Sequence, residues 1–437
     1  MGVVLFISYA LILCAVSFLN KNKITSNDGF FVNARATTTM GVAISTLTSC
    51  VGASATIGVV GLSFDVGIPA FWWLGSGALG LVVLGGFLAN RVRASKAYTL
   101  SEIIASLLGK QAELIASVII VFAWTAIVTA QLVACVFLIQ ALLGTGKLLA
   151  LLLGCLLITL HTISGGQSGI IHLDKFQVNL IIGGVLTLLI WGVFYSPSTI
   201  EEIDFSWINH QFPLSKALYL CFILGGSYIV CPMLYGRVLS ARDENAARNG
   251  ILLAAFLLAI IAFMIVLVGI YARGIVPSDT TTDQVLITLL SAALHPWLAQ
   301  FIYLFLLCAV VSSADSCLFA ASSALSRHLL RRDSIYANRW SSLLLMGIAV
   351  LLTFTNQSIL DYLLMANNIY VCSIVIPVMM CFLFRRTANS IHQPVMLSGM
   401  ILAGILGAIA AFSDQYSISY LGLICSLIFT SLSFAKR

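Results

Sequence analysis

Apolar runs about as long as a bilayer is thick recur along almost the whole of this chain. A helix needs about 20 predominantly apolar residues to cross the hydrocarbon core of a membrane. Thirteen such segments can be read, at approximately 2–19, 38–63, 67–90, 113–143, 147–164, 175–196, 214–238, 248–272, 298–326, 340–356, 360–384, 394–413 and 416–434. Little polar sequence lies between them: 9% of the 437 residues are charged and 60% are hydrophobic, whereas a soluble domain carries about 25% charged residues. A soluble enzyme and a nucleic-acid binder are thereby excluded, and the chain reads as an all-α polytopic membrane protein. The net charge of +6 does not point to nucleic acid, because the basic residues sit in short loops. Cysteines such as Cys14, Cys155, Cys221 and Cys425 are scattered through apolar runs, without the spacing of a zinc site or a disulfide framework.

Charge segregation sets the orientation. Basic residues collect on the cytoplasmic side of membrane proteins. With the N-terminus outside, the inner loops hold Lys21, Lys23, Arg35, Arg91, Arg93, Lys96, Lys110, Lys175, Arg237, Arg242, Arg248, Arg327, Arg331, Arg332, Arg339, Arg385, Arg386, Lys436 and Arg437. That is all but three of the 22 Lys and Arg residues, the exceptions being Lys147, Lys216 and Arg273. The outer loops instead carry Glu201, Glu202, Asp204, Asp279, Asp283 and Asp414. Losing or adding one span would scramble this pattern. The first segment lacks a positive leading region and a clear small-residue cleavage site, so it reads as a retained helix.

Two spans are interrupted. Segment 38–63 gathers Ser45, Thr46, Thr48, Ser49, Cys50, Ser54 and Thr56 around Gly52-Ala53. Segment 214–238 contains Gly225-Gly226-Ser227 and then Pro232, and proline removes a backbone donor and clashes with the preceding turn. With the N-terminal helix set aside, these are the first and sixth of ten consecutive spans, the leading helix of each five-helix half. Interrupted segments at matching positions of two halves point to a transporter binding site, although small residues also serve close helix packing.

A polar face follows on the eighth of these ten spans. Ala309, Ser312, Ser313 and Ser316 recur at helical spacing, with Asp315 on the same turn. An ionisable residue inside a membrane is costly and marks an ion or substrate pathway, and hydroxyl and carbonyl oxygens suit a hard cation such as Na⁺. The same serines can also bond to their own helix backbone. Asp174 opens the fifth core span after Gly165-Gly166, where a carboxylate serves either as a helix cap or as an ion ligand. The six histidines form no metal-ligand cluster, and His295 and His328 fall near span ends, where interfacial placement is expected.

Five stretches in order carry a resemblance: DGFFVNAR (28–35), YTLSEII (98–104), GGQSGIIHLDKFQ (165–177), GRVLSARDENAAR (236–248) and SSADSCLFAASSALSRHL (312–329). In these the chain resembles the sodium:solute symporter family over nearly its whole length. The resemblance implies a LeuT-like fold with a five-plus-five inverted-repeat core, one extra N-terminal helix and two extra C-terminal helices. Its divisions would be 1–20, a first repeat 38–196, a second repeat 214–385 and peripheral helices 393–437. It implies a shared sodium site at the carbonyls of Thr48 and Val51 with Ala309, Ser312 and Ser313. A second cation site in some relatives would map to Asp174, Asp315 and Ser316 together with Ser312, although Asp315 stands where relatives have a neutral residue. Positions where sugar or proline carriers place Asn, Gln or Asp hold Cys50 and Ala55 here. Solute-pocket candidates, placed by depth and helix alone, are Ser49, Cys50, Ser54, Trp72, Trp73, Gln131, Ser227, Tyr228, Asn367 and Asn368.

The function so implied is sodium-coupled import of a small organic solute by alternating access, in the cell (inner) membrane with the C-terminus cytoplasmic. Its partners are the solute, Na⁺ and the lipid bilayer, with no nucleic acid. Competing readings are a proton-coupled carrier of the same fold and a sensor built on it, the latter disfavoured because the chain ends three residues after the last span. A channel would need a continuous polar lining, and an enzyme would need a catalytic spacing that is absent.

Overall fold

The computed structural model describes residues 1–21, 26–195, 204–355, 357–413 and 415–435. Six charges used above to set orientation (Lys23, Glu201, Glu202, Asp414, Lys436 and Arg437) lie outside the described residues. Among the described residues the chain is helical throughout, and its one β-type contact is an isolated bridge between Thr37 and Ala241.

In chain order the elements are α1 (Gly2–Lys21), α2 (Asn27–Val32), α3 (Thr39–Cys50), α4 (Ser54–Val66), α5 (Ile68–Ala94), α6 (Leu100–Leu108), α7 (Lys110–Leu143), α8 (Lys147–Tyr195), α9 (214–229) and α10 (Pro232–Ser240). They continue as α11 (Glu244–Ala272), α12 (Val285–Ala293), α13 (Pro296–Leu329), α14 (Ile335–Thr355), α15 (Ile359–Leu383), α16 (Gln393–Ser413) and α17 (Tyr416–Ala435). By length and composition, 10 helices among the described residues can cross a membrane, or 11 when the bent pair α3 and α4 counts as one span. α1 is a shorter apolar helix by that measure. The thirteen separate spans read from the sequence are therefore not what helix length alone gives.

One reason is α8. Its 49 residues run through the expected connection at 165–174, and only Gly166 leaves helical geometry, at φ 51° and ψ −153°. A side chain there would meet the Phe30 ring and the Phe30 carbonyl, so the kink requires glycine. This corrects the capping role considered for Asp174. The residue sits about two turns beyond the kink, inside the helix and fully buried.

Both expected interruptions are present. α3 and α4 meet at a 63° bend. α9 ends at Ile229 and α10 begins with Pro232 in its first turn, so the second break falls at Val230-Cys231, just past the glycine pair. Proline suits a first helical turn because its missing N–H has no partner there anyway.

α13 runs through the centre, packed against α7 and α8. α16 and α17 pack on each other at the side of the bundle and present Ile401, Ile405, Phe412, Ile424 and Ile428 outward. Apolar exposure on this scale fits lipid, since water disfavours large apolar patches.

Candidate functional site

The bend between α3 and α4 is held open from both sides. A continuous helix would bond Ala53 N to Ser49 O. Ala53 N instead donates to Gln131 Oε1 at 2.9 Å. The freed carbonyls face α13, where the Ser313 hydroxyl donates to Thr48 O at 3.3 Å and Ser49 O at 3.1 Å. Gly52 permits the approach: a Cβ there would lie 2.6 Å from Ser313 Oγ and 2.9 Å from Gln131 Nε2. Thr48, Val51, Ala309, Ser312 and Ser313 are all buried, and the structure brings Thr48 and Ser313 into contact. Ser312 and Ser313 do not spend their hydroxyls on their own helix, whereas Ser316 does, donating to Ser312 O at 2.9 Å.

Beside this bend lies a charged cluster built around a residue expected in a loop. Arg237 of α10 is 1% exposed. Its guanidinium lies 3.6 Å from Asp174 and donates to Ser45 at 3.1 Å, to Ser49 at 2.7 Å and to Ser316. Ser45 and Ser312 donate to the two oxygens of Asp174, the latter at 2.6 Å. Asp315 turns the other way. It is bound by His161 and by Thr162 at 3.0 Å, both from the first half of α8. The four residues grouped as a second cation site are thus divided: Asp174, Ser312 and Ser316 surround or contact the Arg237 cluster, and Asp315 pairs with His161. Arg237 and His161 were not among the expected site residues. His161, an ionisable group within an apolar run, carried a signal of its own, whereas Arg237 lies at the end of its run among loop charges.

A small cavity adjoins the bend. Ser49, Cys50, Ser54, Trp73, Gln131, Ser227, Tyr228 and Asn367 line it, as do Gly52 and Ser313. Trp72 does not; its indole donates to Trp207 O at 3.0 Å near the surface. Asn368 does not either, since Tyr219, Leu364 and Ser419 take up its amide. Trp124, Cys231, Met233 and Cys317 complete parts of the wall and were not anticipated. Among the described residues no lining side chain is charged. Met233 also borders a second small cavity, lined by Phe31, Gln167, Arg237 and Phe319 among others.

A model of the sodium:solute symporter family matches residues 30–402. The chain belongs to the sodium:solute symporter family. It is 26% identical over 327 residues to the sodium/pantothenate symporter of Haemophilus influenzae (strain ATCC 51907 / DSM 11121 / KW20 / Rd), covering 69% of this chain and 65% of that one. It is 24% identical over 337 residues to a sodium/glucose cotransporter of Vibrio parahaemolyticus, covering 67% of this chain and 61% of that one. The match thus spans a little under two thirds of these two relatives. The sodium/pantothenate symporter of Escherichia coli (strain K12) is 23% identical over 93% of this chain and 89% of its own. Among solved structures, a Na⁺-coupled sialic acid symporter in a substrate-bound outward-open state superposes with a TM-score of 0.82 at 16% identity, over 99% of this chain and 97% of that one. MhsT in complex with L-phenylalanine superposes at 0.61 and 16% identity, over 90% and 98%. The all-helical LeuT-like architecture is shared with both.

In this sodium:solute symporter family member, three of the stretches that carried the resemblance meet at one end of the bundle. Asp28 accepts a bond from Tyr98, and Arg327 pairs with Glu102 at 2.9 Å and with Asp333. The Arg327 guanidinium lies 4.8 Å from the Phe31 ring centre and 4.6 Å from that of Tyr98, a cation–π arrangement. His328, expected at the interface, is buried here between Glu113 at 2.6 Å and Thr99 at 2.7 Å.

Proposed function

We propose that this chain is a sodium-coupled symporter that imports a small organic solute by alternating access. The observation that carries this reading is the bend at Val51-Gly52-Ala53, whose freed carbonyls meet the Ser313 hydroxyl. Na⁺ would take its oxygens from Thr48 and Val51 on the broken helix and from Ala309, Ser312 and Ser313 on α13. Ser312 gives its proton to Asp174, which leaves its oxygen lone pairs for a cation.

Coupling follows from shared walls. Gly52 and Ser313 line the solute cavity and also bound the cation site. A cation between α3 and α13 therefore fixes one wall of the cavity, so each cargo is held better when the other is present. The cavity beyond Met233 continues toward the Phe31 and Phe319 rings and serves as the inward route in this reading. The site takes one Na⁺, because Asp174 already faces Arg237 and Asp315 already faces His161.

The same reading counts thirteen crossings. α1 contributes one, α3 with α4 one, α8 two on either side of Gly166, α9 with α10 one, and α5, α7, α11 and α13–α17 one each. It keeps the divisions 1–20, 38–196, 214–385 and 393–437, with the N-terminus outside and the C-terminus in the cytoplasm of a cell (inner) membrane.

Purified protein should melt at a higher temperature in Na⁺ than in K⁺. Ser313→Ala and Ser312→Ala should each raise the Na⁺ concentration for half-maximal stabilisation about tenfold, the worth of one to two hydrogen-bond-scale contacts. An unchanged Na⁺ response in both variants would refute the placement. Accumulation of solute in sealed vesicles under a sodium gradient separates a carrier from a sensor of the same fold.

A further inference from the structure

Trp124 is 2% exposed and lines the solute cavity, yet its indole N–H meets no acceptor among the described residues. A buried donor left unpaired costs about 1–3 kcal/mol, so this one awaits a partner. Gln131, on the same helix α7, spends its carbonyl on Ala53 N. Its amide nitrogen remains, close above Gly52. The start of α4 stands beside Gln131 and borders the same cavity at Ser54, and a helix N-terminus favours negative charge. All of these groups ask for an acceptor.

The charge balance points the same way. Among the described residues no acidic side chain lines the cavity, so an ammonium group would be buried there without a counter-charge, which is expensive. The sodium oxygens are all neutral, and the nearest carboxylate, Asp174, is engaged by Arg237. A Na⁺ bound there would bring one uncompensated positive charge against the cavity wall at Ser313.

Building on the symport reading, we propose that the solute is a small monocarboxylate without an amino group. Its carboxylate is received by Trp124 Nε1 and the Gln131 amide beside the bound Na⁺. Its apolar body lies against Trp73, Leu74 and Leu224, which also line the cavity. One Na⁺ and one carboxylate cross together, so the loaded carrier gains no net charge and transport produces no current.

The test is a thermal-shift panel on purified protein. It uses small monocarboxylates with aliphatic, hydroxylated and aromatic chains, each with its primary amide and primary amine, in NaCl and again in KCl. Carboxylates should raise the melting temperature in NaCl, and the matched amides and amines should not. Trp124→Phe should weaken that response about tenfold to a hundredfold, the value of a hydrogen bond to a charged group, while keeping the shift caused by Na⁺ alone. Amines or amides acting as strongly as carboxylates, or no carboxylate acting in NaCl, would overturn the proposal, as would an undiminished response in Trp124→Phe. A carboxylate response equally large in KCl would leave the solute class standing and remove the sodium coupling. The wild-type panel holds whether or not the variant folds.

Discussion

Arg237→Ala should be the most damaging single substitution in the bundle, lowering stability by about 3–5 kcal/mol, the usual cost of breaking a buried ion pair from one side. The physical reason is the partner left behind. Asp174 is fully buried, and without the guanidinium its carboxylate keeps neutral hydroxyl donors, Ser45 and Ser312 among them, and no counter-charge among the described residues it contacts. Ser49 and Ser316 also lose their shared donor. The loss should appear as a lower yield of folded protein and a lower melting temperature. Adding Asp174→Asn to Arg237→Ala should recover a large part of it, because the orphaned charge is then gone. Equal melting temperatures for wild type and Arg237→Ala would show that the cluster is not an ion pair of consequence.

Gly52→Ala should cost little chain chemistry and much function. The new methyl would lie 2.6 Å from Ser313 Oγ and 2.7 Å from Ser313 Cβ, well inside contact distance. Either α13 retreats, which breaks the contact with Thr48 O and Ser49 O, or Gln131 is displaced, which releases Ala53 N to close the helix. Both outcomes separate the oxygens proposed to hold the cation. Overpacking of this kind costs about 1–3 kcal/mol, and the Na⁺-dependent rise in melting temperature should vanish. Gly86→Ala is the matched control, because a Cβ there meets nothing within 4 Å; it should respond to Na⁺ as wild type does. A normal Na⁺ response in Gly52→Ala would contradict the close approach that the site depends on.

These two residues also mark what the sequence could and could not convey. The break at Gly52 was legible, because small and hydroxyl-bearing residues interrupt an otherwise apolar run there, at the position matching the Pro232 break. The serine face of α13 was legible from its helical spacing. Arg237 was not. It sits near the end of an apolar span, where the positive-inside pattern accounts for it as a loop residue. Pro232 starts a nine-residue helix, α10, that carries Arg237 inward. Side chains also lean toward the N-terminus of their helix, here toward the middle of the bundle. Asp174 was read as a possible cap because Gly165-Gly166 looks like a helix end, and only Gly166 departs from the helix. His161 and Trp124 lie in apolar runs that give no hint of which face meets lipid and which meets a cavity. Trp72 and Asn368 show the converse: depth in the sequence matched the pocket, and their direction did not.

Equilibrium binding of radioactive Na⁺ to purified protein, wild type beside Ser313→Ala, tests the central claim most directly. The site between the broken helix and α13 predicts one Na⁺ per wild-type chain and binding weakened about tenfold in the variant. Ser313→Ala binding Na⁺ as tightly as wild type, or a wild-type chain that binds none, would contradict it.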